Sequence, residues 1–192
     1  MRPRSEWKHT TPSRPRRWEV LTRLVLDKQL TRGVEIGIFD GRTTFYLLRH
    51  CPELEMVGVD LFEPRPEKVK DWESGVDAHL SCPFDQYYKD IVETSEKEFP
   101  GRVTVIKGDS IFAASLFEDN YFDFIFVDAD HSYTGVAGDI DAWAPKVKPN
   151  GYITGHDIHF NSVQMAVEEF FGDNYETHTN SVWTARKADC RI

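Results

Sequence analysis

Residues 34–44 read Val34-Glu35-Ile36-Gly37-Ile38-Phe39-Asp40-Gly41-Arg42-Thr43-Thr44. An apolar segment with one acidic residue runs into two glycines, Gly37 and Gly41, and then into a segment with a helical pattern. Glycine at such a turn lets the backbone pass close to a ligand, because no Cβ stands in the way. The helix that follows offers free N–H groups and the positive end of its dipole. The stretch therefore predicts a strand, a ligand-binding turn and a helix.

Apolar segments and helical patterns alternate along the rest of the chain. Strands are predicted at residues 33–38, 56–61, 102–107, 122–127 and from 152, with two short ones near 175–179 and 181–186. Helices are predicted at residues 18–30, 43–50, 84–99, 111–117, 134–147 and 162–171. Pro149-Asn150-Gly151 is predicted to be a turn. The alternation predicts an α/β fold with a Rossmann-like, doubly wound, mostly parallel seven-stranded sheet that ends in a C-terminal antiparallel hairpin.

Length and composition favour one globular domain. The chain has 192 residues, of which 40% are apolar and 29% are charged. We assign residues 18–192 to a single ligand-binding domain, in which the irregular residues 62–83 form a lid or substrate insert. No apolar run approaches the roughly 20 residues of a membrane span, and the basic N-terminus lacks the apolar segment of a secretory signal. Three widely spaced cysteines indicate neither a zinc site nor a disulfide framework, so we expect a cytoplasmic protein.

The charge of the chain is unevenly distributed. Residues 1–17 contain six basic residues and Glu6, which gives them a net charge of +5. The whole chain carries −9, so the remainder is close to −14. We expect residues 1–17 to form a flexible basic arm that contacts phosphates, a partner, or the acidic body of its own or another subunit. The acidic body disfavours nucleic acid as a partner and is compatible with a homo-oligomer.

Polar residues follow the predicted strands at the points where the strands end. Asp60 and Leu61 close the second strand, Gly108-Asp109-Ser110 follows the third, Asp128-Ala129-Asp130-His131 the fourth, and His156-Asp157 the fifth. In doubly wound sheets, ligands bind beyond the carboxyl ends of the strands, near the point where the strand order reverses. These residues are therefore expected to surround one ligand.

Two groups of residues resemble a known enzyme family. The glycine turn, with an acidic residue before Gly-x-x-x-Gly, resembles the first motif of the class I S-adenosylmethionine (SAM) methyltransferases. Ile125-Phe126-Val127-Asp128-Ala129-Asp130-His131-Ser132-Tyr133 and Pro149-Asn150-Gly151-Tyr152-Ile153-Thr154-Gly155-His156-Asp157 together resemble a subgroup of SAM O-methyltransferases. That subgroup includes catechol O-methyltransferase-like enzymes and enzymes that act on sugars or antibiotics. The resemblance extends from about residue 33 to residue 187 and implies methyl transfer to a hydroxyl of a small molecule.

The resemblance also implies which residues bind the cofactor. Asp60 would accept hydrogen bonds from the ribose hydroxyls, or it could cap the following segment. Asp109 would bind the adenine amino group, although Asp109 or Ser110 can also cap the next helix, and the two roles are compatible. The SAM-binding residues implied in this way are Glu35, Gly37, Phe39, Asp40, Gly41, Thr43, Asp60, Leu61, Gly108, Asp109, Ser110 and Asp128.

A divalent metal is implied by the same resemblance, with Asp128, Asp157 and His156 as its ligands. Oxygen ligands suit Mg²⁺, whereas a histidine shifts the preference towards Mn²⁺ or Fe²⁺. Such a metal would lower the pKa of the substrate hydroxyl. Alternatively, His156 acts as a general base, and Asp128 only holds the cofactor loop. His131 is a second candidate base, a ligand or a structural residue, and Asp130 is expected to orient the loop.

Three other functions are alternatives to methyl transfer to a small molecule. An NAD-dependent oxidoreductase would have the Gly-x-Gly-x-x-Gly spacing, which differs from Gly-x-x-x-Gly, and would place a Tyr-x-x-x-Lys pair near the site. A non-catalytic SAM-binding module would not need the acidic constellation at the strand ends. A nucleic-acid amino-methyltransferase would carry an Asn/Asp-Pro-Pro-Tyr/Phe motif where this chain has Asp128-Ala129-Asp130-His131.

Overall fold

The computed structural model describes residues 15–64 and 82–192. Most of the predicted arm and most of the predicted lid lie outside the described residues. The helices are α1 (Arg17–Lys28), α2 (Arg42–His50), α3 (Phe84–Glu98), α4 (Ser110–Ala114), α5 (Tyr133–Trp143) and α6 (Asn161–Phe171). The strands are β1 (Arg32–Ile36), β2 (Glu55–Asp60), β3 (Val103–Lys107), β4 (Phe122–Val127), β5 (Val147–Gly155), β6 (Tyr175–Thr177) and β7 (Trp183–Arg186). Short 3₁₀ turns occupy Ala144–Lys146, Thr179–Ser181 and Lys187–Asp189.

The strands form one seven-stranded sheet in the order β3-β2-β1-β4-β5-β7-β6. The first five strands along the chain pair in parallel, whereas β7 runs antiparallel to both β5 and β6. After β1 the chain builds outward through β2 and β3, and it then returns to place β4 on the other side of β1. The strand order therefore reverses between β1 and β4. This topology confirms the predicted doubly wound fold and its C-terminal antiparallel hairpin.

Apolar cores cover both faces of the sheet. Along β4, Phe124 and Phe126 pack into one core, and Ile125 and Val127 pack into the other. All four side chains are at most 4% exposed. Successive side chains of a strand point to opposite faces, so a strand that is covered on both sides needs apolar residues at consecutive positions. The continuous apolar sequence of β4 follows from this central place in the sheet.

The predicted turn at Pro149-Asn150-Gly151 is wrong, because these residues lie within β5. Helix α5 ends at Trp143, earlier than predicted, and β5 begins at Val147. In the pairing of β4 with β5, Phe122 lies opposite Val147, and Phe124 lies opposite Tyr152. The segment of β5 between these two pairs is therefore longer than the matching segment of β4. Such a bulge accommodates the proline, which cannot donate a hydrogen bond to a neighbouring strand.

The remaining differences between the predicted and the observed elements are at their ends. Strand β1 ends at Ile36, because Gly37 has a φ of 91° and leaves the extended conformation. Helix α1 begins at Arg17, so this last residue of the predicted arm belongs to the first helix. Helix α1 also ends at Lys28, before the predicted residue 30. Within residues 15–64 and 82–192, no helix has the length and hydrophobicity that a membrane crossing requires.

Candidate functional site

A cavity of about 470 Å³ lies at the carboxyl edge of the sheet. Its walls come from the ends of β1, β2, β3, β4 and β5, together with Arg17 of α1 and the first turns of α4 and α5. The cavity thus lies where the strand order reverses, which is the place that a doubly wound sheet offers to a ligand. The predicted cofactor residues that line it are Gly37, Phe39, Asp60, Leu61, Gly108, Asp109, Ser110 and Asp128.

Gly37 is required by the close approach of two strand ends. A Cβ at this position would lie 2.4 Å from the backbone oxygen of Asp128, which is closer than real Cβ contacts. The φ of 91° at Gly37 is also unfavourable for any residue with a side chain. The backbone at the end of β1 is therefore packed directly against the end of β4, and the floor of the cavity is bare main chain.

The other four residues predicted for the glycine turn do not line the cavity. Glu35 is buried, and its Oε2 accepts hydrogen bonds from the backbone nitrogen of Thr44 at 3.0 Å and from Thr44 Oγ1 at 2.5 Å. These bonds attach the first turn of α2 to β1. Asp40 pairs with Arg42, Gly41 is the N-cap of α2, and Thr43 Oγ1 accepts a hydrogen bond from Arg17 Nε.

Burial has a strong effect on the acidity of Glu35. It raises the pKa of this carboxyl to about 8, and the nearby charge of Asp128 acts in the same direction. The hydrogen bonds from Thr44 and the charge of Arg17 oppose the shift without cancelling it. Glu35 is therefore protonated at neutral pH and does not add a negative charge beneath the cavity.

Asp60 fixes the loop that borders the cavity after β1. Its Oδ2 accepts a hydrogen bond from the backbone nitrogen of Phe39 at 2.9 Å, and its Oδ1 accepts one from the backbone nitrogen of Phe62 at 2.8 Å. Phe39 and Phe62 both have φ of 51°, which is unusual for residues with large side chains. The carboxylate of Asp60 thus joins two strained turns at the cavity wall, where it can also accept bonds from a ligand.

The end of β3 is tied to helix α5. Asp109 caps α4, because its Oδ1 accepts a hydrogen bond from the backbone nitrogen of Phe112 at 3.1 Å. Ser110 Oγ donates a hydrogen bond of 2.5 Å to Oδ1 of Asp139, which also lines the cavity and is 3% exposed. The predicted cap at Asp109 is therefore confirmed, and it leaves the predicted adenine contact open. Asp139 was not among the predicted site residues.

Two aspartates and two histidines converge beyond β4 and β5. Asp157 Oδ2 lies 3.0 Å from His131 Nε2 and 3.1 Å from His156 Nδ1. His156 Nδ1 also lies 3.5 Å from Oδ1 of Asp128. Asp157 has a φ of 58°, so the backbone turns sharply after β5 and directs this carboxylate into the cavity. We call Asp128, His131, His156 and Asp157 the Asp–His cluster.

Charge pairing controls the protonation of this cluster. Burial lowers the pKa of His156, but the contacts with Asp128 and Asp157 outweigh it and raise the value to about 9. Burial raises the pKa of Asp157, but the contacts with His131 and His156 outweigh it and hold the value well below the usual range. At neutral pH, His156 is therefore a cation and Asp157 is an anion.

Part of the Asp–His cluster fits a divalent cation. One ligand atom from each of Asp128, His131 and Asp157 lies within 4.8 Å of the others. Two carboxylate oxygens and one imidazole nitrogen form a donor set suited to Mg²⁺ or Mn²⁺. The geometry thus brings His131 into the ligand group. It places the predicted ligand His156 beside the same two carboxylates, with Nδ1 paired to them and the buried Nε2 without a hydrogen-bond partner in the described part of the chain.

Sequence reasoning did not single out Asp139 and Arg17, two side chains that line the cavity. Asp139 could have been recognised, because it shares the i, i+3, i+4, i+7 spacing of buried α5 residues that runs through Val136, Asp139, Ile140 and Trp143. A carboxylate on an apolar helix face needs a partner or a function. Arg17 gave no comparable signal, since its partner Asp128 is more than 100 residues away along the chain. Asp130 orients its loop as predicted, since its Oδ1 accepts a hydrogen bond from the backbone nitrogen of Ser132.

A larger cavity, of about 810 Å³, lies between the first turn of α1 and the C-terminal hairpin. Its walls include Arg16, Trp18, Tyr175 and His178, and His178 Nε2 lies 2.8 Å from Thr184 Oγ1. None of the residues predicted to bind the cofactor or the metal lines this cavity. We therefore take the cavity at the sheet edge as the candidate active site.

Comparison with known proteins identifies the kind of domain that this chain contains. A family model described as a methyltransferase domain matches residues 34–158. Among solved structures, the O-methyltransferase NovP superposes with a TM-score of 0.67 and 16% identity, covering 88% of this chain and 78% of NovP. A candidate caffeoyl-CoA O-methyltransferase from Staphylococcus aureus gives a TM-score of 0.61 and 16% identity, covering 87% and 80% of the two chains. A precorrin-6y C5,15-methyltransferase from Geobacter metallireducens gives 0.56 and 15%, covering 86% of each chain.

At these identities the structural matches show the fold alone, and no curated protein matches the sequence. The match to the family model shows which family the chain belongs to. It covers well over half of the chain, and it contains the glycine turn, Asp60, Asp109 and the whole Asp–His cluster. The predicted enzyme class is therefore confirmed, and the chain belongs to the methyltransferase domain family, whose cofactor is SAM.

Proposed function

We propose that this protein transfers the methyl group of SAM to a hydroxyl of a small molecule, with assistance from a divalent cation. The observation that carries the proposal is the continuity of one cavity, which runs from Asp60 and Asp109 to the Asp–His cluster. A cofactor held at one end of this cavity would present its methyl group near the acidic and imidazole groups at the other end. This shared cavity also supports the assignment of residues 18–192 to one methyltransferase domain.

Binding and orientation are the main tasks of the residues in this cavity. Asp60 would accept hydrogen bonds from the ribose, and Asp109 would contact the adenine. Gly37 would allow the amino-acid end of the cofactor to cross bare main chain between β1 and β4. Holding the methyl donor and the acceptor in line supplies much of the rate enhancement in such reactions, because the electrophilic sulfonium comes with the cofactor.

The Asp–His cluster would prepare the acceptor. Asp128, His131 and Asp157 would hold the divalent cation, which lowers the pKa of a hydroxyl that binds to it. Without a cation, Asp128 and Asp157 raise the pKa of His156 to about 9, so His156 neutralises these carboxylates at neutral pH and His131 is left to accept the proton of the acceptor hydroxyl. With a cation held by Asp128, His131 and Asp157, the positive charge of the cation opposes that shift, and His156 would be the imidazole that accepts the proton. Measuring turnover with and without metal separates these two roles.

A small acceptor suits the charge of the cavity. Seven carboxylic acids line it, namely Asp60, Glu63, Asp109, Asp128, Asp130, Asp139 and Asp157. A polyanionic nucleic acid would be repelled by such a surface. A neutral or cationic molecule with a hydroxyl group, such as a catechol or a sugar, would not be repelled. We therefore propose a small-molecule acceptor, and the homo-oligomer and the basic arm at residues 1–17 stay predictions.

The proposal is tested by identifying the cofactor and following the methyl group. Mass spectrometry of the purified protein should detect SAM or S-adenosylhomocysteine, and calorimetry should give micromolar or tighter binding of SAM. Incubation with methyl-labelled SAM and a panel of catechols, sugars and hydroxylated antibiotics should transfer the label to oxygen. Labelling of nitrogen or carbon acceptors alone would reject O-methylation, and tighter binding of NAD than of SAM would reject the cofactor.

A further inference from the structure

We propose that Arg17 binds the carboxylate at the amino-acid end of SAM. This inference rests on the proposed function and adds a residue that selects the intact cofactor. Arg17 is the first residue of α1 and lies before residues 34–158, which match the family model. The family match therefore assigns it no role.

The contacts of Arg17 place its guanidinium at the edge of the cavity beside the glycine turn. Its Nη1 lies 3.2 Å from Oδ2 of Asp128, and its Nε donates a hydrogen bond of 3.1 Å to Oγ1 of Thr43. Thr43 is in the first turn of α2, directly after Gly41. The side chain of Arg17 is 26% exposed and lines the cavity, so it is both held in place and open to a ligand.

The charge of the cavity makes this position distinctive. Arg17 is the only lysine or arginine among the described residues that line the cavity, and they include seven carboxylic acids. An anionic group on a ligand would be repelled by most of the wall and attracted at Arg17, since the other cationic side chain, His156, already lies between the carboxylates of Asp128 and Asp157. The amino-acid end of SAM carries an ammonium and a carboxylate on the same carbon. The ammonium can be neutralised by many of the acids, whereas Arg17 offers the carboxylate a full positive charge beside the N-terminus of α2.

The guanidinium of Arg17 can bind the carboxylate of SAM in addition to its contacts with Asp128 and Thr43. A guanidinium has five N–H donors in a planar fork that matches the two oxygens of a carboxylate. The contacts with Asp128 and Thr43 involve Nη1 and Nε, so Nη2 and the second hydrogen of Nη1 can face a carboxylate in the cavity. Thr43 then acts as a positioning residue, because its hydroxyl fixes the direction of the fork. This gives the buried, predicted cofactor residue Thr43 a role without direct contact.

An alternative role for Arg17 is purely structural, as the counter-ion of Asp128. The two roles differ in what they predict for a cofactor analogue that lacks only the carboxylate. Decarboxylated SAM keeps the adenosine, the sulfonium and the amine. If Arg17 binds the carboxylate, its removal should weaken SAM and leave decarboxylated SAM unaffected. Binding of the cationic analogue can even become tighter, because Asp128 loses its counter-ion and the cavity becomes more negative.

The experiment measures the Kd of both ligands by calorimetry for the wild type, Arg17→Gln, Arg17→Lys and Arg23→Gln. Arg23 lies on the same helix, and its side chain is 84% exposed, so it controls for a lost arginine in α1. For Arg17→Gln we expect SAM to bind at least about tenfold more weakly, as for a lost charged hydrogen bond, and decarboxylated SAM to bind unchanged or more tightly. Arg17→Lys should recover part of the loss, because it restores the charge but not the fork.

The possible failures can be told apart. If wild-type protein binds neither ligand, the proposed function fails and this inference fails with it. If wild-type protein binds SAM and Arg17→Gln weakens both ligands equally, or weakens neither, Arg17 does not recognise the carboxylate and the inference alone is overturned. Thermal unfolding of each variant shows whether the fold is kept, and Arg17→Lys carries the test if Arg17→Gln does not fold.

Discussion

Asp157 Oδ2 lies 3.0 Å from His131 Nε2, although the two residues follow different strands of the sheet. His131 comes after β4 and Asp157 after β5, and these strands are parallel neighbours. Their carboxyl ends therefore meet at one edge, and the left-handed backbone at Asp157 turns its carboxylate towards the histidine. The pair joins the loops on which the acceptor chemistry of this protein would depend.

The first prediction concerns Asp157. Asn has nearly the same shape and tolerates the left-handed backbone at this position, so Asp157→Asn removes the charge with little strain. We expect it to lower turnover by at least about a hundredfold, because a charged group that acts on the reacting atoms is lost. SAM affinity should stay within about threefold in a calorimetric titration, since the adenosine contacts lie at the other strand ends.

A matched control for this variant is Asp119→Asn. The side chain of Asp119 is 64% exposed and pairs with Lys146, away from the residues that line the cavity. It should change neither turnover nor SAM affinity. If Asp157→Asn keeps full activity, the charge of Asp157 has no part in the reaction.

The second prediction concerns the divalent cation. Chelation should stop turnover of the wild type, and addition of Mg²⁺ or Mn²⁺ should restore it, because Asp128, His131 and Asp157 offer two oxygens and one nitrogen within 4.8 Å. SAM binding should persist in the chelator. Turnover that is unaffected by an excess of chelator would reject the metal and leave His131 as a general base, in which case His131→Asn should abolish activity.

The third prediction concerns Asp60, which is expected to bind the ribose. Asp60→Ala should weaken SAM by about 1–3 kcal/mol in calorimetry, the loss typical of a charged acceptor. Asp60→Asn separates two effects, because the amide oxygen can still accept a hydrogen bond from the backbone of Phe39 or Phe62 while the charge is lost. We expect an intermediate affinity for the asparagine variant. Unchanged affinity in both variants would remove Asp60 from the cofactor site.

The fold could be predicted where the local sequence pattern matches the position of the segment in the folded protein. The apolar run of β4 indicates a strand covered on both faces, and the acidic and histidine residues after the strands mark the site edge. The bulge in β5 could not be predicted, because Pro149-Asn150-Gly151 has the composition of a turn. Only the packing of the sheet shows that β7 pairs with β5 from Tyr152 to Gly155 and leaves the preceding segment unpaired on that side.

The candidate site was predictable at the strand ends and not in its long-range contacts. Asp60, Asp109, Asp128 and Asp157 could be grouped because the ends of parallel strands share one edge of the sheet. The contact of Arg17 with Asp128 and that of Ser110 with Asp139 depend on how α1 and α5 pack on the sheet. Periodicity and motif spacing carry no information on such packing, since they describe one segment at a time.

The last prediction concerns the pH dependence of stability. Burial raises the pKa of Glu35 to about 8 in the folded protein, whereas an exposed glutamate has a pKa of 4.5. Between these two values the folded state keeps a proton that the unfolded state has released. The free energy of unfolding should therefore fall as the pH rises through this window, by up to about 1.4 kcal/mol per pH unit from this group.

Glu35→Gln isolates this contribution, because glutamine resembles the protonated acid in shape and does not titrate. Urea unfolding from pH 4.5 to 8 should show a smaller decline for Glu35→Gln than for the wild type, so the variant gains stability relative to the wild type as the pH rises. Contributions from His156 and the other titrating groups are common to both proteins and cancel in the difference. Glu53→Gln, at an exposed position, should follow the wild-type curve. Parallel curves for Glu35→Gln and the wild type would mean that Glu35 is ionised in the fold, and its bonds to Thr44 would then hold a buried charge.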